Sequence, residues 1–201
     1  MQDGGSCDSF VRALVIWSGA LAGLMMILVG GLLPSALIIP GQDLLSTRLF
    51  SLPSTWQVPS LLLAALVCGP RAAVIASVAY ITVGLLYLPI FHSGGSFSYV
   101  TTPGFGYLIG FVPTAWISGR LAYKRNMNNL ISLTLCSVIG LILLQMWGVI
   151  YIIIGSLVGD WALNLPDLVY SYSIAPLPAQ LLLCPGVGIA SLTLRQLLFI
   201  E

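Results

Sequence analysis

The sequence predicts an all-α integral membrane protein built on six transmembrane helices, and three observations carry that prediction. Of the 201 residues, 58% are hydrophobic and 6% charged, with a mean hydropathy of +1.03; soluble domains carry about a quarter charged residues. The apolar residues gather into runs matched to a hydrocarbon core of about 30 Å at about 1.5 Å per residue. The basic residues segregate. Six spans put Arg12, Arg71, Arg120, Lys124, Arg125 and Arg195 on one side and Arg48 alone on the other. By the positive-inside rule both termini are cytoplasmic and the loops 34–58, 89–103 and 158–175 face outward.

Taken in order, Met1–Phe10 is short, polar and acidic, without the basic flank of a secretory signal. Span 1 covers about 11–33 and carries Ser18/Ala22 and Gly19/Gly23, two small-xxx-small pairs that let another helix approach closely. Internal packing and docking to a separate membrane protein are both open for them. Residues 34–55 form a connector too polar and too interrupted by proline to span, with Ser54–Val58 completing the next crossing as an interfacial segment. Span 2 covers about 59–69 and closes on the Gly69-Pro70-Arg71 turn; span 3 covers about 72–88. Span 4, about 104–122, repeats the small-residue spacing at Gly106/Gly110 and Ala115/Gly119. A polar turn, Tyr123-Lys124-Arg125-Asn126, leads to span 5 at about 130–157, and span 6 covers about 178–199. The whole chain, 1–201, reads as a single transmembrane domain.

The outward loops hold the chemistry. The segment from Phe91 through His92, Ser93, Gly94 and Gly95 contains the only histidine and exposes backbone that hydrocarbon cannot satisfy, so it is solvated or lines a cavity. Spans 2, 4 and 6 start near Pro59, Pro103 and Pro176 or Pro178, with Thr102 a predicted N-cap, so three helix N-termini face the same side and favour an anionic group. Within the spans Gln145 and Gln180 donate and accept, which suits a urea-like or amide ligand. Tyr107, Trp147, Tyr151 and Trp161 are candidates to cover a ring or to form the interfacial belt.

Catalysis is not predicted. The only lysine, Lys124, follows Tyr123, so there is no phosphate-binding GK[ST] loop, and the chain is not its own ATPase. It has no HExxH and no GxSxG elbow, and its acids lie in loops and termini, not in a proton relay. The cysteines, Cys7, Cys68, Cys136 and Cys184, lack CxxC spacing and read as small packing residues, so no metal site and no cofactor are expected. Seven basic residues, scattered, form no surface for nucleic acid.

The segments Gln57-Val58-Pro59, Cys68-Gly69-Pro70-Arg71, Leu88-Pro89-Ile90-Phe91, Gly94-Gly95 and Pro103-Gly104-Phe105-Gly106-Tyr107 through Gly110-Phe111 resemble the BioY family. These are biotin-specific substrate-binding (S) subunits of energy-coupling factor (ECF) transporters. The match runs over about 56–125, with a weaker echo at 178–183. The resemblance implies an S-component-like bundle in the cell membrane, biotin as transported ligand under the outward loops, and docking of the span 1 face (Ser18, Gly19, Ala22, Gly23) on a transmembrane coupling subunit driven by paired ATPases. With the amides and aromatics read above, the candidate substrate-binding residues are Trp56, Gln57, Phe91, His92, Ser93, Gly94, Gly95, Tyr107, Gln145, Trp147, Asp160 and Gln180. Where the family has Asp and, three residues on, Lys at the start of span 6, this chain has Gln180 and Leu183. Arg48 (the only outward cation), His92 and the helix N-termini are then the candidate carboxylate partners, with Arg48 or backbone N–H groups the expected ones, and a biotin relative is an alternative ligand. An S-component for another vitamin or metabolite, or a membrane scaffold protein whose outer loops bind another protein, are the competing expectations.

Overall fold

The computed structural model describes residues 4–40, 47–86, 91, 97–124, 128–158, 161 and 165–198, the side chains of 4–8, 36–40 and 47–53 excepted. In order the elements are α1 (Gly4–Leu32), β1 (Pro34–Pro40), β2 (Thr47–Thr55), α2 (Gln57–Leu86), a 3₁₀ turn (Phe97–Thr101), α3 (Phe105–Ala122), α4 (Leu130–Val158), α5 (Leu165–Val169), a π turn (Tyr170–Ile174) and α6 (Leu177–Leu197). Among the described residues four helical segments are long and apolar enough to cross a membrane: Ser9–Leu32, Gln57–Leu86, Leu130–Val158 and Leu165–Leu197. α3, at 18 residues and carrying Pro113 and Arg120, is shorter and is not among them.

α2 is not one rod. Gly69 has φ 86° and ψ 168°, and Pro70 follows it. A Cβ on Gly23 of α1 would lie 3.2 Å from the Cβ atoms of both Ala64 and Ala76. On an unbroken helix residues twelve apart are separated by about 18 Å, so the chain doubles back at Gly69-Pro70 into two arms, 57–68 and 70–86. Gly fits the left-handed backbone there, and Pro starts the returning arm without losing a needed N–H. The split falls where spans 2 and 3 were expected to part, but the first arm begins at Gln57. Ser54 and Thr55 end β2 and do not belong to the crossing.

Close backbone approach assembles the bundle. Gly19 and Gly23 of α1 rest on Cys68, Ala72, Ala64 and Ala76, and Gly30 abuts Ser60 and the Trp56 carbonyl. The glycine face of α1 is therefore taken up inside the chain, while Ser18 and Ala22 on the neighbouring face are exposed. Gly106 and Gly110 of α3 meet Tyr151, Leu144 and Trp147 of α4, and Gly119 meets Pro70. The core between helices is rich in small residues (Ala65, Ala73, Ala76, Ser77, Ala115, Ser118), with Leu61, Leu62, Tyr80, Phe111 and Leu141 filling the remainder. Large apolar side chains such as Trp17, Leu21, Ile131, Leu157 and Leu182 point outward, as packing in lipid requires.

The connector at 34–55 is a two-stranded antiparallel ribbon, which departs from a purely helical expectation. β1 pairs β2 with Pro34 opposite Thr55, Ile38 opposite Leu49 and Ile39 opposite Arg48. Its base is closed by the Trp56 N–H donating to Leu33 O at 3.1 Å. The prolines that read as interruptions stand near the strand ends, where a missing N–H breaks no needed pairing. Thr102 does not cap α3. Its hydroxyl donates to Tyr99 O at 2.6 Å, closing the 3₁₀ turn, and Gly104 takes the cap position two residues later.

The two ends of the bundle differ. One end holds the ribbon, the 3₁₀ turn and the π turn. The other holds the α2 reversal and the C-terminal ends of α3 and α6, tied by Arg195, which is 4% exposed. Its guanidinium donates from Nε and Nη2 to Leu66 O (2.9 and 2.7 Å), from Nη2 to Ala122 O (3.1 Å) and from Nη1 to Asn128 Oδ1 (3.1 Å). It also lies 4.6 Å from the centre of the Tyr123 ring, and the Tyr123 hydroxyl donates to Val67 O. Replacing Arg195 with Met orphans buried carbonyls at about 1–3 kcal/mol each. The expected outcome is a clear fall in the denaturation midpoint of the purified protein in detergent. Arg195→Lys recovers only part of it, because one ammonium does not reach Leu66 O, Ala122 O and Asn128 Oδ1 together.

Candidate functional site: a neutral cavity at the ribbon end

The ribbon, the two turns and helices α1, α2, α3, α4 and α6 line one cavity of about 400 Å³ at the ribbon end, within the range of small-molecule sites. α3 turns Gly104, Tyr107, Leu108 and Phe111 toward it, the i, i+3, i+4, i+7 stripe of one helix face. Gly31 and Pro34 close one side and Ser54, Thr55, Gln57 and Val58 another; α4 adds Leu144 and Gln145. Ser171, Tyr172, Pro176 and Gln180 enter from the π turn and α6, and Tyr99 from the 3₁₀ turn.

The aromatic wall is held rigidly. The Tyr107 ring sits against Gly148, where a Cβ would be 2.1 Å from a ring carbon. Its hydroxyl shares a hydrogen bond with Ser173 Oγ, and its ring stacks with Tyr172 at 6.4 Å. Tyr99 lies between Phe91 (4.6 Å) and Phe105 (6.5 Å), and the Tyr151 hydroxyl donates to Val100 O behind it. Burial, reinforced by the neighbouring Tyr172 phenol, pushes the Tyr99 phenol above its ordinary pKa and keeps it a neutral hydrogen-bonding group.

The polar groups are amides. Gln145 Nε2 donates to Gln180 Oε1 at 2.9 Å. Gln145 Oε1 and Gln57 Nε2 are buried without a hydrogen-bond partner within bonding geometry among the described residues, the Gln57 amide facing the Tyr80 phenol. An unpaired buried polar atom costs about 1–3 kcal/mol, so the cavity presents an acceptor and a donor that a ligand can satisfy. None of the described lining residues carries a formal charge. Gly104 and Pro176, the N-caps of α3 and α6, both line the cavity, and neither helix start has a side-chain cap.

Of the residues expected to bind substrate, the structure brings Gln57, Tyr107, Gln145 and Gln180 together. Phe91 is buried against Tyr80 and Tyr99, behind the lining. Trp147 is not brought to the cavity. It is 42% exposed and lines a separate outer groove with Trp116, because positions two apart on a helix point to opposite faces. Trp56, 41% exposed, lies with Met25, Val29 and Leu33 on the outside of α1. His92, Ser93, Gly94, Gly95 and Asp160 lie outside the described residues, and the Arg48 side chain is not described. The lining residues that sequence reasoning missed include Tyr99, Phe111, Leu144 and Tyr172; for Phe111 the i, i+4 spacing from Tyr107 was the available signal.

Gly148→Ala tests how far the wall depends on that close contact. The added methyl displaces the Tyr107 ring and strains its bond to Ser173. The expected outcome is a folded protein whose intrinsic tyrosine fluorescence changes and whose ligand binding weakens at least tenfold, read by titration.

The BioY family model matches residues 21–198. Among curated proteins, the chain is 34% identical over 100 residues to the probable biotin transporter BioY of Lysinibacillus sphaericus (50% of this chain, 51% of that one). It is 35% identical over 92 residues to the biotin transporter BioY of Thermotoga maritima (45% and 54%). The chain thus spans about half the length of each of these two relatives. An uncharacterised 21.2 kDa protein of Cyanophora paradoxa, from a psbX–ycf33 intergenic region, is 25% identical over 187 residues, 92% of this chain and 96% of that one. The crystal structure of the S-component for biotin from an ECF-type ABC transporter superposes with a TM-score of 0.65 at 18% identity, covering 94% of this chain and 93% of that one, a likeness of fold. With the cavity and nearly all of the helical bundle inside the matched stretch, the chain belongs to the BioY family.

Proposed function

We propose that this chain is a substrate-binding membrane subunit for uptake of biotin or a close relative, not an enzyme, with the ligand held in the cavity beneath the ribbon. The observation that carries this is the pair of buried amide atoms left without a hydrogen-bond partner among the described residues. Gln57 Nε2 supplies a donor for a ureido carbonyl, and Gln145 Oε1 an acceptor for a ureido N–H. Tyr107, Tyr172 and Phe111 pack the apolar rings of the ligand. Six crossings of the cell membrane follow if the two arms of α2 and the shorter α3 each count as one. The basic residues then put both termini in the cytoplasm and the ribbon outside.

The ligand carboxylate is taken by Arg48 or by the uncapped starts of α3 and α6, because Gln180 and Leu183 stand where the family has Asp and Lys. A coupling subunit and paired ATPases supply the energy this chain has no phosphate-binding loop to harvest. Of the four docking candidates on α1, Ser18 and Ala22 are exposed and can meet that partner; Gly19 and Gly23 serve the internal contact with α2. A second reading, a biotin relative lacking the carboxylate, is favoured by the uncharged lining.

Tritiated biotin binding to the purified protein tests the proposal. Saturable binding is expected, and biotin at 100 times its Kd adds about 2.7 kcal/mol of stability. Gln57→Leu and Gln145→Leu each remove a hydrogen bond worth about 1.5 kcal/mol or more, a tenfold or greater loss of affinity. Arg48→Ala weakens biotin but not biotinamide if Arg48 holds the carboxylate; biotinamide binding better than biotin selects the second reading. No binding of either compound, with the protein folded, rejects the assignment.

A further inference from the structure

On the outside of the bundle, away from the cavity, a groove of about 580 Å³ runs between the second arm of α2 and α3. Only apolar and tryptophan side chains line it, among them Val74 and Ile81 from α2, Ile109 and Trp116 from α3, and Trp147 from α4. Both helices carry the same pattern along this face. On α3, Ile109, Pro113, Trp116 and Arg120 follow one another at steps of three or four residues; on α2, Arg71 leads into Val74 and Ile81. The helices run antiparallel, and a Cβ on Gly119 would lie 2.8 Å from Pro70 Cα. Arg71 and Arg120, the next residues along, therefore bracket one interhelical contact at the same end of the groove.

The two arginines complete the pattern. Both are exposed. The Arg120 guanidinium lies 5.5 Å from the centre of the groove-lining Trp116 ring, at the groove's end. Among the described residues neither arginine has an acidic partner. A channel of hydrocarbon shape that ends between two guanidinium groups without an acidic partner among the described residues is complementary to an amphiphile with an anionic head. Guanidinium favours phosphate by bidentate hydrogen bonding.

We propose that this groove is a binding site for one anionic glycerophospholipid of the leaflet at the arginine end. Its phosphate sits between Arg71 and Arg120, and one acyl chain lies along Trp116, Val74 and Ile109. The site is independent of the cavity and of what the cavity holds.

The test is native mass spectrometry of the delipidated, purified chain given phosphatidylglycerol or phosphatidylcholine with identical acyl chains. The expected result is preferential retention of one phosphatidylglycerol. Retention falls about fivefold in Arg71→Gln and in Arg120→Gln, and the double variant drops to the phosphatidylcholine level. Ile109→Trp, or Val74→Phe from the opposite wall if the first does not fold, fills the groove and lowers phosphatidylglycerol retention with both arginines in place. Lys124→Gln, a cation at the same end but off the groove, leaves the preference unchanged. Equal retention of the two lipids, no loss in the double or the groove-filled variant, or an equal loss in Lys124→Gln overturns the proposal.

Discussion

The carbonyl groups that end the first arm of α2 and the end of α3 have no donors within their own helices, and the Arg195 guanidinium, rising from the last turn of α6, supplies them. Three helices far apart in sequence are fixed to one another by one side chain. A buried cation usually demands a carboxylate; here the negative ends of two helix dipoles and the Asn128 amide replace it. The left-handed Gly69 makes this possible, since the reversal it starts brings Leu66 O and the α3 terminus to the same place.

With that end pinned, the opposite end is where the chain can be shaped for a ligand. The small-residue contacts that bring the helices together loosen into a cavity where Tyr99, Tyr107 and Phe111 replace alanine and serine. The elements over it are short: a ribbon closed by one backbone hydrogen bond at its base, a 3₁₀ turn and a π turn. The polar groups lining it are mainly amides, phenols and hydroxyls, whose strength comes from exclusion of water and from geometry more than from charge.

Much of this was legible in the residues. The apolar runs gave helix limits within a few positions of Leu32, Ala122, Val158 and Leu177, because hydrocarbon thickness leaves little freedom. Gly69-Pro70 announced a reversal. Gln145 and Gln180 stood out as amides inside spans, and they meet. The ribbon was hidden by Pro34, Pro40 and Pro53, which break a helix but are tolerated at strand ends and edges. Trp147 stood among the aromatics that could cover a ring, but it lies two residues beyond Gln145 on α4, a turn of about 200° that carries it to the outer groove. Tyr99 and Tyr172 carried no local signal; tertiary folding of the short turns brings them to the cavity.

The Arg195 junction has one more property. A guanidinium stays protonated throughout the range a cell experiences, and backbone carbonyls and an asparagine amide do not ionise at all. Nothing among its described hydrogen-bond partners responds to acidification, whereas a lock closed by Asp or Glu would loosen as the carboxylate took up a proton. A chain seated between two compartments of different proton concentration therefore keeps this junction closed on either side's terms.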